Sequence, residues 1–242
     1  MKKIFFIASF CMASLLATAQ NDIQFGFELS PTISWLTTDN SKINSNGSSL
    51  GLKLGMIGEY YFRENYSLVT GIGFHFNAGG QLFYEETVDT VSIWTDAEIP
   101  GDNIYEGGAD FKYSLQYVEI PMGLKLRTRE FGYLRYYVEP RITLGFNTQG
   151  KGNILSDAAI DKEEDFNIQS SVNLINLSWG IGAGAEYTLS ENTAIMAGIA
   201  FQTGFTDITK DKNTLIVVNA KEKEEDSKGK LNSIILRLGI MF

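Results

Sequence analysis

His75 is the chain's only histidine, so acid–base chemistry near neutral pH by an unperturbed side chain would rest on it. A lipid hydrolase or acyltransferase would want that imidazole beside a Ser or an Asp near the rim of the fold. Its neighbour Asn77, two residues on along what reads as a strand, points instead to a hydrogen-bonding side chain. The string Gly180-x-Gly182-x-x-Ala185 matches a dinucleotide fingerprint, but that motif works only where a strand ends and a helix begins, and here it lies within one strand pattern. The run Glu85, Glu86, Asp89, Asp96, Glu98, Asp102, Glu106 and Asp110 contains no basic residue. Carboxylate oxygens suit hard cations, which could be Ca²⁺ or divalent ions bridging lipopolysaccharide, but no D-x-[DN]-x-[DN]-G loop is present and the run reads as a solvated acidic surface. No catalytic, cofactor-binding or metal-ligating residue is assigned from these patterns, and no cofactor is implied.

A different set of charges recurs with a regular spacing. Glu28, Lys53, Glu59, Glu119, Lys125, Arg127, Arg135, Glu139, Arg141, Glu186 and Arg237 each occupy the polar phase of an alternating apolar–polar segment. Side chains on a strand point alternately to opposite faces, so these charges share the face opposite the apolar one. The clearest segment reads as one long strand from Ser171 to Leu189, where from Ile175 onwards Ile175, Leu177, Trp179, Ile181, Ala183, Ala185, Tyr187 and Leu189 alternate with Asn176, Ser178, Gly180, Gly182, Gly184, Glu186 and Thr188. Seven further strands follow the period of two: Ile23 to Trp35, Leu50 to Phe62, Tyr66 to Asn77, Tyr117 to Arg127, Leu134 to Asn147, Ile195 to Phe205 and Leu231 to Phe242.

Short turns at Arg63–Asn65, Thr128–Gly132 and Ser190–Asn192 alternate with long connections at Thr37–Ser48, Glu85–Asp110, Gly150–Ile168 and Asp207–Lys230. The last contains Lys221 to Lys230, a mixed charge run expected to be mobile. The asymmetry fits an eight-stranded, antiparallel, up-and-down transmembrane β-barrel with short periplasmic turns and long outer loops.

Two orientations are open to such a barrel. As a soluble carrier it would have to bury nearly every large apolar side chain of eight long strands, and a small barrel is already filled by the side chains of one face. With the apolar face on lipid, the charges turn inward and must be paired. Their near balance implies a lumen plugged by ion pairs rather than a water channel, with Gly71, Gly73, Gly180, Gly182 and Gly184 leaving room for long side chains. Aromatics near the strand ends (Trp35, Phe146, Phe205; Tyr60, Phe62, Tyr66, Tyr187, Phe242) fit interfacial girdles.

Residues 1–19 read as a signal peptide: Lys2 and Lys3, an apolar stretch from Ile4 to Leu16, and Ala17-Thr18-Ala19 before Gln20. Cleavage there removes Cys11, the only cysteine, and leaves residues 20–242 as one barrel domain with 18 basic against 29 acidic residues, a formal charge of −11. That balance excludes nucleic acid as a partner, since phosphate binding needs a basic footprint.

Three features carry a resemblance to a known family: a leader ending in Ala-Gln, the segment Tyr117-Val118-Glu119-Ile120-Pro121-Met122-Gly123-Leu124-Lys125, and the terminal Leu236-Arg237-Leu238-Gly239-Ile240-Met241-Phe242. The chain resembles the PorT-like outer-membrane β-barrels over nearly all of residues 20–242. The resemblance implies the outer membrane of a diderm bacterium, with namesake members tied to protein secretion, and a terminal Phe242 like the signal read by the barrel-assembly machinery. Expected partners are outer-membrane lipid and lipopolysaccharide, that machinery, and envelope or secretion proteins. The expected role is structural or interactive and non-enzymatic, with a narrow solute channel and a lipid-modifying enzyme as alternatives.

Overall fold

The computed structural model describes residues 22–99, 103–155, 165–190, 192–210 and 214–242. The expected leader and its cleavage site lie outside them. Eight long strands build the barrel: β1 (Ile23–Thr37), β2 (Ile43–Arg63), β3 (Tyr66–Tyr84), β4 (Asp110–Arg127), β5 (Leu134–Ile154), β6 (Ile175–Ser190), β7 (Thr193–Gly204) and β8 (Lys230–Met241). Each pairs antiparallel with its sequence neighbours, and β8 returns to β1, so the ladder runs round the ring. The alternation of the sequence becomes inside and outside. Phe25, Phe27, Leu29 and Ile33 of β1 are exposed, while Ser30, Thr32 and Ser34 between them are buried. Rings meet at both ends of the apolar band: Trp35 with Phe201 at 6.2 Å towards the long connections, and Phe62 with Tyr66 at 6.2 Å and Tyr133 with Tyr187 at 6.0 Å towards the short turns.

Three lapses of the ladder lie beside prolines; a fourth, between Ser48↔Gly80 and Leu52↔Phe76 of β2 and β3, spans Asn77 instead. Between β8 and β1 the pairing stops after Glu28↔Gly239 and resumes at Thr32↔Ile235, spanning Pro31. Between β3 and β4 it stops between Thr70↔Met122 and Gly73↔Glu119, spanning Pro121. Between β4 and β5 it stops between Gly123↔Arg141 and Leu126↔Val138, spanning Pro140. A proline has no N–H to give, and a strand residue turns its N–H towards one neighbour only. On the opposite side of each proline the register is accordingly unbroken, at Pro31↔Leu52, Pro121↔Thr143 and Pro140↔Ile181.

The ring is taller on one side than its alternation suggests. β2, β3, β4 and β5 have 21, 19, 18 and 21 residues, against 15, 16, 12 and 12 for β1, β6, β7 and β8. The sequence reading begins its second strand at Leu50 and ends its third at Asn77; the ladder instead continues to Ile43↔Tyr84 and Phe83↔Asp110. The extensions lie beyond β-bulges. One extra residue in β3 at Asn77, which has φ +54°, moves the inward phase from odd (Ser67, Val69, His75) to even (Ala78, Leu82, Tyr84). Thr148 does the same in β5, from Glu139 and Asn147 to Gly152 and Ile154. Bulges of this kind re-aim side chains.

Above the bulges the inward face is apolar, and the outer connections pack on it as a cap. Leu36, Leu82, Tyr84, Phe111, Tyr113, Leu115 and Ile154 from the wall meet Val91, Trp94, Ile99, Phe166, Ile168, Ile208 and Ile216 from the connections in one buried cluster. Trp94 stands edge-on to Phe111 and Tyr113 at 5.3 and 5.2 Å. Gly152 lies beneath it, where a Cβ would come within 2.6 Å of the indole. A four-stranded sheet in the order Lys221–Glu224, Leu215–Val218, Thr90–Ser92, Ile104–Glu106 ties the connection before β8 to the one before β4. Each large side chain fully buried in this way is worth roughly 1.5–3 kcal/mol, so the cap is a folded unit. The expectation that Lys221 to Lys230 forms a mobile loop is corrected here: Lys221–Glu224 is a strand, and Glu225 and Ser227 are buried.

Candidate functional site: the lumen

Ten of the inward charges meet in the lumen, in three groups stacked along the barrel axis. At the periplasmic end Lys125 pairs with Glu59 and, at 2.9 Å, with Glu186, whose other oxygen accepts from Arg127 at 3.1 Å. Tyr61 donates to Glu59 at 2.7 Å and accepts from Arg127 at 3.1 Å, with the guanidinium 4.1 Å from its ring. In the next group Arg237 spans the lumen, donating to Glu28 at 3.0 Å and to Glu139 at 2.9 Å, while Arg141 donates to the other oxygen of Glu139 at 2.7 Å. Towards the cap, Lys53 donates to Glu119 at 2.7 Å and to Gln202 at 2.9 Å. Setting His75 aside, every group is neutral by formal charge: two carboxylates with two cations, the same again, then one with one.

An ammonium or carboxylate taken out of water costs several kcal/mol unless its partner and remaining hydrogen bonds are in place. Fixed strands supply that placement. Lys125 comes from β4, Glu59 from β2 and Glu186 from β6, so no partner is local in sequence. Between the first two groups lies Tyr137, with Lys125 Nζ 4.9 Å and Arg237 Cζ 5.9 Å from its ring. Gly184 and Gly198 make the room it needs, since a Cβ at either would fall within 2.7 Å of the phenol oxygen. Ile57, Val69 and Met196 close round Tyr137 as a small apolar belt. Sequence reasoning passes over these four residues, although Met196 is readable as the inward phase between Ile195 and Ala197. A void of about 20 Å³ lined by Glu28, Lys53, Arg141, Gln202 and Arg237 remains between the second and third groups, room for about one water, which needs roughly 10–15 Å³.

His75 lies in the third group. Its Nε2 is 3.2 Å from Thr32 Oγ1 and its Nδ1 3.3 Å from Glu119 Oε1. Hydroxyl, imidazole and carboxylate stand in the order of a nucleophilic triad, but Thr32, His75 and Glu119 are only 2%, 1% and 7% exposed, so the hydroxyl has no open face for a substrate. Arg135, grouped with the inward charges on the sequence, is corrected: it stands at the periplasmic rim, about a third exposed, paired with Glu130 of the adjacent turn at 2.9 Å. Phe242 closes the β8–β1 seam. Its backbone N–H donates to Phe25 at 2.7 Å, its carbonyl accepts from Phe25 at 3.2 Å, and its ring meets Phe27 edge-on at 6.5 Å.

Three carboxylates of the acidic run before and at the start of β4 accept hydrogen bonds from other parts of the chain. Glu85 accepts from Asn44 at 2.9 Å, Asp89 from the Ala220 N–H at 2.9 Å and Asp110 from Asn46 at 2.7 Å. Among the described residues, no group of three or more His, Cys, Asp or Glu is placed to hold a metal ion.

An antiparallel ring of eight strands, apolar outside and ionic within, defines a transmembrane β-barrel of the bacterial outer membrane. Residues 18–210 match the model of the outer membrane protein beta-barrel domain family, and the chain belongs to that family. The outer membrane is its location and the cell envelope the setting of its role. No curated protein matches the chain. Among solved structures it is similar to Neisserial surface protein A, at 12% identity over 90% of this chain and 95% of that one, with a TM-score of 0.43. It is also similar to OprG from Pseudomonas aeruginosa, at 13% identity over 91% and 96% with a TM-score of 0.43. A major outer membrane protein from Thermus thermophilus is similar at 13% identity over 91% and 98%, again with a TM-score of 0.43.

Proposed function

We propose that this chain is a non-catalytic, non-conducting barrel whose cap and periplasmic rim engage other components of the envelope. The observation that carries the reading is the group-by-group neutrality of the lumen: a pathway for ions or solutes keeps uncompensated charge and water along its length, whereas here each buried charge is answered within hydrogen-bond distance. The burial of Thr32, His75 and Glu119 supports a non-enzymatic role on the same grounds of access. The resemblance of Tyr117 to Lys125 and of Leu236 to Phe242 to the PorT-like barrels supports a secretion-associated partner, and the leader at residues 1–19, removed before Gln20, supports export. Lipopolysaccharide is the outer-leaflet neighbour in this reading and the barrel-assembly machinery the reader of Phe242.

The test is the purified barrel in a planar lipid bilayer. The expected record is a flat baseline without unitary steps at moderate voltage. Reproducible single-channel steps from the unmodified protein would overturn the closed-lumen reading and favour the solute channel.

A further inference from the structure

On the lipid face of β3 to β6 lies an apolar groove of about 580 Å³, lined by Leu68, Met122, Leu124, Pro140, Ile142 and Trp179. Its volume is within the roughly 300–1,000 Å³ of small-molecule sites. It sits where β4 is unladdered on both sides in turn, towards β3 beside Pro121 and towards β5 beside Pro140. Because the groove is continuous with the membrane-facing band, water does not fill it and a hydrocarbon chain must.

The periplasmic rim below the groove carries two cations that no carboxylate answers. Arg63 faces Tyr66 across the β2–β3 ladder, and Tyr66 in turn faces Leu126 of β4; Arg129 opens the β4–β5 turn, its guanidinium 5.4 Å from the Phe131 ring. Neither arginine belongs to any ion pair among the described residues, whereas the ten lumen charges and Arg135 are all paired. Aromatic rings flank them at headgroup level, with Phe62 stacked on Tyr66, in the belt where amphipathic rings and long cations settle. We propose that this is a binding site for one anionic phospholipid of the periplasmic leaflet, with an acyl chain in the β3–β6 groove and the phosphate between Arg63 and Arg129.

The site is tested by native mass spectrometry of the intact barrel, extracted in mild detergent from vesicles of phosphatidylethanolamine and phosphatidylglycerol. One retained phospholipid is expected, with phosphatidylglycerol preferred. The double variant Arg63→Gln/Arg129→Gln should keep a lipid but lose that preference by about tenfold or more, the scale of removing two interfacial cations. The double variant Leu68→Trp/Leu124→Trp, which fills the groove with ring atoms, should lose the retained lipid. Heat-modified gel migration reports whether each variant is folded; a variant that fails it is replaced by the single substitutions. Absence of a unit-stoichiometry lipid on the unmodified barrel, or identical retention and preference in both folded variants, overturns the proposal.

Discussion

Exchanging Lys125 for Met would leave Glu59 with only hydroxyl donors in a site that is fully buried, while Glu186 would keep Arg127. Removing one partner of a buried pair typically costs about 3–5 kcal/mol, and a loss of that size is expected for Lys125→Met in equilibrium urea unfolding from lipid vesicles. Arg135→Ala breaks a pair about one-third exposed on each side and should cost no more than about 1 kcal/mol. Equal effects for the two would contradict the separation of lumen from rim. Both residues occupy the polar phase of their strands, which is why the sequence groups them: alternation reports the face of a side chain but not its height along the barrel. Height depends on where each strand starts relative to its neighbours, and that is set by ladders between residues far apart in sequence. Tyr137 was illegible for a related reason. An aromatic side chain on the polar phase of a strand has no marker of its own, and its place becomes evident only with Gly184 and Gly198 of two other strands against its phenol.

The same limit, at the level of the strand, explains the missed upper halves of β3 and β5. A single unbroken alternation describes the parts between the short turns and each bulge, and those parts were legible from end to end. One inserted residue reverses the phase, so the inward Leu82 and Tyr84 fall out of step with His75 and read as the start of a loop. Asn77 holds the β3 bulge in a left-handed conformation at φ +54°, donates to the Leu50 carbonyl at 2.6 Å and accepts from Ser114 at 2.5 Å. A β-branched residue is strained there, by about 1–2 kcal/mol for the backbone alone, and loses both side-chain bonds. Asn77→Val is therefore expected to destabilise the upper barrel by about 2 kcal/mol or more, each net hydrogen bond adding roughly 0.5–1.5 kcal/mol. Asn77→Gly, free of the backbone strain, should lose less. Amide exchange of Leu82, Tyr84 and Phe111 would locate the effect: protection lost above the bulge and kept below it. Uniform loss along β3 would mean that the bulge does not separate cap from lumen.

Taken whole, the molecule places its charges in two different ways. The lumen is neutral, while the connection of residues 85–110 alone holds eight acidic and no basic residues, so the negative excess of the chain is concentrated on the cap side. Part of it gathers where the connection before β2 meets the one before β8, with Glu225 buried, Asp207 half-buried and Asp39 exposed. Asp39 accepts from the Lys228 N–H at 2.8 Å; Asp207 accepts from the Thr209 and Gly229 N–H groups, both at 2.9 Å; Glu225 accepts from the Ser227 N–H at 2.8 Å. None of the three is in an ion pair among the described residues, and Lys210 and Lys228 nearby keep their side chains exposed. Burial raises the Asp207 carboxyl above the usual range, with the Asp39 charge adding to it. Burial likewise raises Glu225, with Asp207 adding to it. A carboxyl whose folded-state pKa lies above its unfolded value favours folding when protonated: the contribution is complete in acid below the unfolded pKa and is lost as pH rises through the folded one. These two carboxyls are thus expected to hold the cap tightest in acid below the ordinary carboxylate pKa and to loosen it as pH climbs past that range, opposite to the acid lability of a paired carboxylate. Trp94 fluorescence in a full-length Trp35→Phe/Trp179→Phe background reads the change, since its indole is buried against Phe111 and Tyr113. Asp207→Asn/Glu225→Gln should hold the acid-form spectrum at every pH. If the pH profile survives that double substitution, other groups govern the cap and these two carboxyls are spectators at the join.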